Sequence, residues 1–313
     1  MTVRRPAGGK GCYRMSQFVL SGFGDEIAED LSTQLSVMAE NHIHCLEIRS
    51  VNGKPIVEHT PAEAKKIKEQ LDAAGFRVSS LGSPIGKIGI RDDFRKHLEL
   101  FRRALEIAKI LDAPFFRLFS FYIPEGEKPE KYRGEVMERM DRLCAEAKGF
   151  GVRLLHENEL GIYGDTPERC LDLMETLGYD RIGAVFDPAN FINLKQRVEI
   201  YPYAWHLLKK YVDYMHIKDA VHVDDPLHNH HEIRPAGYGD GRIADILREL
   251  EESGYRGFLS VEPHLGSFSG FEKLERRIVD ETMPKGGPKT FTVAARALQD
   301  LIAQVEKGKS EKQ

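Results

Sequence analysis

The sequence predicts an α/β protein built as a single (β/α)8 TIM barrel. Short runs of β-branched and aromatic residues alternate with segments of helical period from residue 18 to residue 305. No composition break or Pro/Gly-rich linker divides the 313 residues, and a barrel commonly needs about 250. A doubly wound open sheet is the alternative, but it would spread the polar strand-end residues described below along an edge.

The predicted strands are short apolar runs bounded by turn or polar residues. In chain order they are Phe18–Phe23, Cys45–Arg49, Arg77–Leu81, Phe115–Phe119, Arg153–Glu157, Gly183–Asp187, Val212–Ile217 and Phe258–Glu262. Each is followed by a helical segment, which is the order of a parallel barrel.

The predicted helices carry apolar residues at three- and four-residue spacing. They are Leu31–Asn41, Pro61–Ala74, Asp92–Leu111, Glu130–Phe150, Pro167–Leu177, Pro202–Lys210, Ile243–Ser253 and Thr292–Val305. Thr60 before Pro61, with Glu63 three positions on, indicates a capped helix start. We expect residues 1–17 to be a flexible leader, 18–305 the barrel and 306–313 a frayed tail.

Composition restricts the function. The net charge of −4 and the pI of about 6.3 argue against a nucleic-acid binder with a broad basic face. No apolar run reaches the roughly 20 residues that a membrane span requires. Cys45, Cys144 and Cys170 lie in apolar stretches without any CxxC motif, so we expect buried free thiols and a cytoplasmic protein.

Four polar residues lie at or next to the C-terminal ends of four consecutive predicted strands: Glu157, Asp187, His216 and Glu262. Strand alternation places each on the same face as the residue two positions earlier, Leu155, Val185, Tyr214 and Ser260 respectively, and we take this face to be the barrel interior. A closed ring would bring them together at the mouth. Three carboxylates and one imidazole predict a site for one divalent ion, with Mn²⁺ or Mg²⁺ favoured and Co²⁺ or Zn²⁺ able to substitute.

Around these positions the chain resembles the sugar isomerase and epimerase family of xylose-isomerase-like barrels. The matching pieces are Leu155-His-Glu-Asn158, Phe186-Asp-Pro-Ala-Asn190, Met215-His-Ile-Lys-Asp219, Gly239-Asp-Gly241 and Gly254-Tyr-Arg-Gly-Phe-Leu-Ser-Val-Glu-Pro263. The resemblance runs from about residue 18 to residue 265. It implies one divalent ion held by Glu157, Asp187, His216 and Glu262, and a sugar or sugar derivative as substrate.

Two positions depart from the epimerases of this family. Asn190 stands where they often have a histidine, and Tyr163 stands where they have an acidic residue. Both positions touch sugar in the relatives, so the departures argue against a ketohexose epimerase of the standard kind. Endonuclease relatives use additional histidine ligands, which the second to fourth predicted strands lack.

The predicted chemistry removes a proton from a carbon beside a carbonyl. A divalent ion on the carbonyl and neighbouring hydroxyl oxygens stabilises the enediolate of the sugar, and a carboxylate must lie against the C–H bond. Glu157 and Glu262 are the predicted acid/base pair. Using both gives epimerisation, using one gives 1,2-isomerisation, and expulsion of a β-leaving group makes the protein a lyase or dehydratase. An inactive sugar-binding barrel is the alternative from another class.

Further side chains are expected to contact the substrate: Asn190, Lys218, Arg234, His264 and Glu47. The histidine-rich stretch 222–231 is interpreted as a lid loop after the seventh strand, and Glu159 as a supporting residue. The expected partner is a small-molecule carbohydrate, with neither nucleic acid nor membrane, and the sequence is compatible with a homo-oligomer.

Overall fold

The computed structural model describes residues 14–15, 17–223, 231–266 and 285–310. Its central sheet contains parallel strands β1 Phe18–Phe23, β2 Cys45–Ile48, β3 Arg77–Leu81, β4 Phe115–Leu118, β5 Arg153–Glu157, β6 Ile182–Phe186, β7 Val212–Ile217 and β8 Phe258–Val261. Neighbours in sequence are neighbours in the sheet, and β1 pairs with both β2 and β8. The sheet is therefore closed, and the predicted TIM barrel is confirmed.

The helices are α1 Leu31–Glu40, α2 Pro61–Ala73, α3 Phe94–Ile110, α4 Arg133–Glu146, α5 Pro167–Leu177, α6 Pro188–Ile192, α7 Trp205–Leu208, α8 Ile243–Glu252 and α9 Pro288–Ser310. The long helices bury one face on the barrel, as Leu98, Phe101 and Leu105 of α3 do. Thr60 and Glu63 form the expected capping box at the start of α2.

Several elements differ from the predicted ones. Asp219–His222 and His231–Arg234 pair as an antiparallel hairpin, and residues 224–230 of the predicted lid loop lie outside the described residues. Arg14–Met15, at the end of the predicted leader, pairs antiparallel with β1. Helix α9 continues to Ser310, five residues beyond its expected end at Val305.

The barrel interior is layered. Its lower part is an apolar cluster of inward-facing residues: Val19, Cys45, Leu155, Val185, Tyr214 and Phe258. The next inward position on several strands is polar, with Ser21, Glu47, Glu157, His216 and Ser260 all buried. This order agrees with the strand alternation inferred from the sequence, and it seats the polar layer on a packed floor.

The cysteines differ in state. Cys144 and Cys170 are buried free thiols, as expected. Cys45 is disulfide-bonded, so the prediction of a free thiol at this position was wrong. None of the helices in the described residues is long and apolar enough to cross a membrane.

Candidate metal centre

Four buried side chains meet at the carboxyl ends of β5 to β8. Each of Glu157, Asp187, His216 and Glu262 offers one ligand atom, and these atoms lie within 4.8 Å of one another. Nδ1 of His216 is 3.0 Å from Oε1 of Glu157, 3.3 Å from Oε2 of Glu262 and 3.9 Å from Oδ2 of Asp187. Residues separated by as many as 105 positions thus share one small volume at the barrel mouth.

The local structure around Asp187 holds it in place. Its Oδ1 accepts from the backbone N–H of Asn190 at 3.1 Å and caps the short helix α6, which leaves Oδ2 for the centre. The side chain of Asn158 bonds twice to the backbone of Asp187, accepting from its N–H at 3.0 Å and donating to its carbonyl oxygen at 2.8 Å. The ends of β5 and β6 are therefore tied together beside the ligand atoms.

The two glutamates are arranged alike. Oε1 of Glu157 faces His216, whereas its Oε2 lies 3.1 Å from NH1 of Arg117. Oε2 of Glu262 faces His216, and its Oε1 lies 3.5 Å from NH1 of Arg49. Each carboxylate therefore has one oxygen toward the centre and one outer oxygen beside a guanidinium.

Glu47 of β2 lies on the other side of the imidazole. Its Oε2 is 3.1 Å from Nε2 of His216 and accepts from the hydroxyl of Ser260 at 2.8 Å. A carboxylate that accepts from one ring nitrogen leaves the other nitrogen with its lone pair toward a metal. Glu47 therefore lies against the imidazole, and the contact with substrate that the sequence predicts for it stays a prediction.

Lys218 is the cation nearest the centre. Its Nζ is 2.9 Å from Oδ2 of Asp187 and 3.0 Å from Oε2 of Glu262, and its side chain is 2% exposed. Both of these oxygens face His216, unlike the outer oxygens that the arginines contact. Lys218 therefore contacts the same atoms that a metal would require.

Burial and neighbouring charges set the ionisation of the carboxylates. Burial raises the pKa of Asp187 to about 7, against the opposing effect of Lys218. Burial also acts to raise the pKa of Glu157 and of Glu262. Neighbouring cations outweigh this effect of burial, so the pKa values of both glutamates are lowered. His216 is the largest of the lowering influences on Glu157, and Lys218 is the largest on Glu262.

Burial acts to lower the pKa of His216, but Glu157, Glu47 and Glu262 outweigh it and raise the pKa well above its usual value. An imidazole among carboxylates is a cation when no metal is bound, and it must release a proton to become a ligand.

The donor set fits a divalent cation. Three carboxylates and an imidazole, all at most 2% exposed, converge where water does not screen their charges. Oxygen ligands with a single nitrogen suit Mg²⁺ or Mn²⁺ and are compatible with Zn²⁺ or Co²⁺. The residues present are therefore suited to the ion that the sequence predicts.

The remaining residues expected to contact substrate occupy different places. Nδ2 of Asn190 donates to Oε1 of Glu157 at 3.3 Å, so it lies beside the centre. Nε2 of His264 is 3.5 Å from Oε1 of Glu262. The guanidinium of Arg234 pairs with Glu232 in the hairpin.

Sequence reasoning missed the acidic residues that follow β1. Asp25 and Glu26 both pair with Arg49, at 2.8 Å and 3.2 Å, and Glu26 also lies 3.2 Å from Nε2 of His264. Glu26, Glu262 and His264 form a second group whose potential ligand atoms lie close together. The guanidinium of Arg49 already pairs with both glutamates of this group. The signal available was Gly24-Asp-Glu26 directly after an apolar strand, where barrel enzymes carry functional residues.

Asp219 organises the loop that follows the hairpin. Its carboxylate accepts from the backbone N–H groups of Gly237, Gly239 and Gly241 at 2.9 to 3.0 Å. A Cβ on Gly239 would lie 2.3 Å from the carboxylate, so only glycine fits there. Asp219 thus has a structural role next to Lys218.

A separate cavity of about 720 Å³ lies outside the barrel between α1 and α2. Its lining includes Leu31, Leu35, Ala73 and Phe76, and none of the four centre residues belongs to it. The convergence of titratable groups, rather than cavity volume, identifies the candidate site.

The sequence model of the family described as xylose isomerase-like TIM barrel matches residues 39–282. The chain therefore belongs to this family. An uncharacterized protein from Methanocaldococcus jannaschii is 24% identical over 255 residues, covering 75% of this chain and 80% of that protein.

Solved structures share the fold at low identity. A xylose isomerase domain protein from Planctomyces limnophilus has a TM-score of 0.68 and 19% identity, covering 92% of this chain and 97% of that chain. An IolI protein with a zinc atom has a TM-score of 0.68 and 17% identity, covering 91% and 98%. A Mycobacterium smegmatis xylose isomerase-like TIM barrel protein in complex with magnesium has a TM-score of 0.67 and 15% identity, covering 93% and 98%.

Other structures of this fold have described activities. D-psicose 3-epimerase from Clostridium cellulolyticum, solved with D-tagatose, has a TM-score of 0.65 and 14% identity, covering 91% of this chain and 98% of that chain. The probable 3-DHS dehydratase AsbF from Bacillus anthracis has the same TM-score and identity, covering 89% and 98%. At these identities the likeness establishes the fold alone.

Proposed function

We propose that this protein is a divalent-metal-dependent isomerase or epimerase of a sugar or sugar derivative. The observation that carries the proposal is the arrangement of Glu157 and Glu262. Each presents one oxygen toward His216 and keeps a second oxygen outside the ligand group. A carboxylate arranged in this way serves as ligand and as proton acceptor without changing its position.

Four side chains would hold the ion: Glu157, Asp187, His216 and Glu262. When bound, a divalent ion polarises the carbonyl and neighbouring hydroxyl oxygens of a sugar, which makes the adjacent C–H acidic and stabilises an enediolate. Mn²⁺ or Mg²⁺ is the proposed native ion, with Co²⁺ or Zn²⁺ as substitutes. The zinc atom in the IolI structure and the magnesium in the Mycobacterium smegmatis structure support a metal-binding role for this type of barrel.

The glutamates come from strands that are three apart in the ring, Glu157 from β5 and Glu262 from the residue after β8. The carboxylate of Glu157 takes the proton from carbon on one face of the sugar, and the C–H electron pair enters the enediolate. A solvent proton delivered by way of the Glu262 carboxylate reaches the other face, so the centre inverts, and Glu157 then releases its proton to solvent. Return by the same carboxylate to the neighbouring carbon gives an isomer.

A metal-dependent lyase or dehydratase is the second candidate. It uses the same proton removal, after which the electron pair expels a hydroxyl or alkoxyl group from the β-carbon. The buried ammonium of Lys218 beside Glu262 favours it, because a leaving oxygen needs a proton donor. An inactive sugar-binding barrel is the remaining alternative, and two glutamates in a complete ligand group argue against it.

The test is solvent exchange. The protein is incubated with Mn²⁺ in D₂O with a panel of keto-sugars, keto-inositols and keto-glycosides, and NMR locates deuterium beside the carbonyl. We expect deuterium incorporation that Glu157→Gln and Glu262→Gln abolish, whereas Glu146→Gln on the surface of α4 retains it. A product lacking its β-substituent identifies the lyase.

Two outcomes would count against the proposal. Exchange that continues at full rate after EDTA treatment removes the role of the metal. Binding of a keto-sugar in the presence of Mn²⁺, without exchange at any carbon, favours the inactive binding barrel.

A further inference from the structure

The cations around the centre fall into two kinds. Arg117 and Arg49 lie beside the outer oxygens of Glu157 and Glu262, Oε2 and Oε1 respectively. Lys218 contacts Oε2 of Glu262, which is the oxygen 3.3 Å from Nδ1 of His216. The guanidiniums are thus compatible with a metal in the ligand group, whereas the ammonium of Lys218 competes with it.

The competition follows from distances. A divalent ion binds carboxylate oxygens at about 2.0–2.2 Å. Lys218 lies 2.9 Å from Oδ2 of Asp187 and 3.0 Å from Oε2 of Glu262. Both cations would then share two oxygens in a volume where the side chains are at most 2% exposed, and repulsion between charges is strong in such surroundings.

We propose that Lys218 is an internal counter-ion of the metal-free centre, and that its ammonium leaves Asp187 and Glu262 when a divalent ion binds. This inference rests on the proposed metal-dependent function. The released ammonium becomes a donor to substrate oxygen, so that only the metal-loaded protein presents it to the sugar.

The chemistry of lysine suits this role. It is a single point charge on a flexible four-carbon chain, so it can leave one pair of acceptors for another without turning a planar group. Arg49, by contrast, is held by Asp25 and Glu26 as well as by Glu262, so it has a fixed position in the described structure. In the metal-free protein, Lys218 offsets the repulsion between Asp187 and Glu262.

The test measures Mn²⁺ affinity by electron paramagnetic resonance of the free ion after EDTA treatment and desalting. The variants are Lys218→Met and the matched control Arg117→Met. Each removes one buried positive charge beside the centre, Arg117 from Glu157 and Lys218 from Asp187 and Glu262, but only Lys218 contacts oxygens that face His216. We expect Lys218→Met to tighten Mn²⁺ binding about tenfold or more beyond the effect of Arg117→Met.

Thermal unfolding gives a second readout. The melting temperature of metal-free Lys218→Met should fall below that of the wild type, and the rise produced by Mn²⁺ should be larger in the variant. If the variant does not fold without metal, its affinity is measured from the Mn²⁺-loaded form by competition with a chelator.

The outcomes are distinct. An equal gain in Mn²⁺ affinity in both variants means that the loss of positive charge acts at a distance. That result contradicts the displacement of Lys218 but does not contradict the proposed metal-dependent function. Unchanged or weaker Mn²⁺ binding in Lys218→Met contradicts the displacement of Lys218 as well. If the wild type binds no Mn²⁺, Mg²⁺ or Zn²⁺ at millimolar concentration, the proposed function fails, and the inference fails with it.

Discussion

Oε2 of Glu47 lies 3.1 Å from Nε2 of His216, on the side of the imidazole away from Nδ1 and the three ligand carboxylates. The pair joins β2 to β7 across the barrel. It fixes which nitrogen of the ring is available to a metal, because the nitrogen that donates to Glu47 carries the hydrogen.

Replacement of Glu47 by glutamine should therefore weaken metal binding without removing a ligand. The amide is a poorer acceptor and can present its NH₂ group to the imidazole instead. We expect a loss of about 10- to 100-fold in Mn²⁺ affinity, measured by isothermal titration calorimetry. Ser260→Ala removes only the hydroxyl that also bonds to Glu47 and should have a much smaller effect. Equal losses in the two variants would contradict the role given to Glu47.

Asn158 is a test of the tie between β5 and β6. Asn158→Ala removes both hydrogen bonds to the backbone of Asp187 and leaves buried groups unsatisfied, which costs about 1–3 kcal/mol of unfolding free energy. Asp187 would also lose its fixed position, so Mn²⁺ affinity should fall.

The matched control for Asn158 is Asn41→Ala, which removes a buried asparagine that bonds to Val37 and Thr292. It should lower stability in urea denaturation by a comparable amount while leaving Mn²⁺ affinity unchanged. A normal Mn²⁺ affinity in Asn158→Ala would show that Asp187 does not need this support.

The helical spacing of apolar residues and the two-residue alternation of strands predicted most of the fold, because each pattern depends on residues close in sequence. In β7, Tyr214 and His216 are both buried, and residues two positions apart must share a face of a strand. A strand that ends in a polar residue therefore places that residue at the mouth of the barrel. The five-residue helix α6 was missed because it is too short to show a period.

Contacts between distant segments could not be predicted. Arg49 meets Glu262 across 213 positions, and this pairing depends on side-chain directions at two strand ends. The sequence predicts that Arg234 contacts substrate or an acidic residue. The antiparallel pairing of Asp219 with Arg234 forms a hairpin in which the guanidinium pairs with the acidic Glu232, and its contact with substrate stays a prediction. Local sequence carries no signal for such a register.

The capping box of α2 provides a prediction about stability alone. Thr60→Ala removes the acceptor for the backbone N–H of Glu63 and should lower the unfolding free energy by about 1 kcal/mol. The box lies on the outer surface, so Mn²⁺ affinity and any catalytic rate should stay at wild-type values. Urea denaturation and Mn²⁺ titration of the variant check the two halves. A changed Mn²⁺ affinity would mean that α2 contributes to the centre.

His97 of α3 anchors the loop between β3 and α3. Its Nε2 accepts from the backbone N–H of Gly86 at 2.7 Å, so the ring must be neutral. Gly86 has a φ of 91°, and an added Cβ would lie 2.0 Å from the carbonyl oxygen of Phe119, so the loop packs tightly at this point. The same loop carries Lys87, whose Nζ lies 3.0 Å from Oε2 of Glu159. The protonation state of the His97 ring therefore affects the position of a loop close to the barrel mouth.

The pH dependence of this anchor has a definite sign. Burial lowers the pKa of His97 from 6.5 to about 4. Between pH 4 and 6.5 the unfolded chain binds a proton at His97 that the folded protein does not. The contribution of the neutral His97 ring to stability is therefore complete above pH 6.5 and is lost as the pH falls toward 4. The loss is on the order of 3 kcal/mol. The glutamine of His97→Gln does not titrate. Chemical denaturation at several pH values between 4 and 7 should therefore show an unfolding free energy that depends less steeply on pH in this variant. Replacement of the exposed His42 by Asn should keep the wild-type slope of unfolding free energy against pH. A slope unchanged in His97→Gln would mean that other groups control the acid sensitivity and that the Gly86 anchor survives protonation.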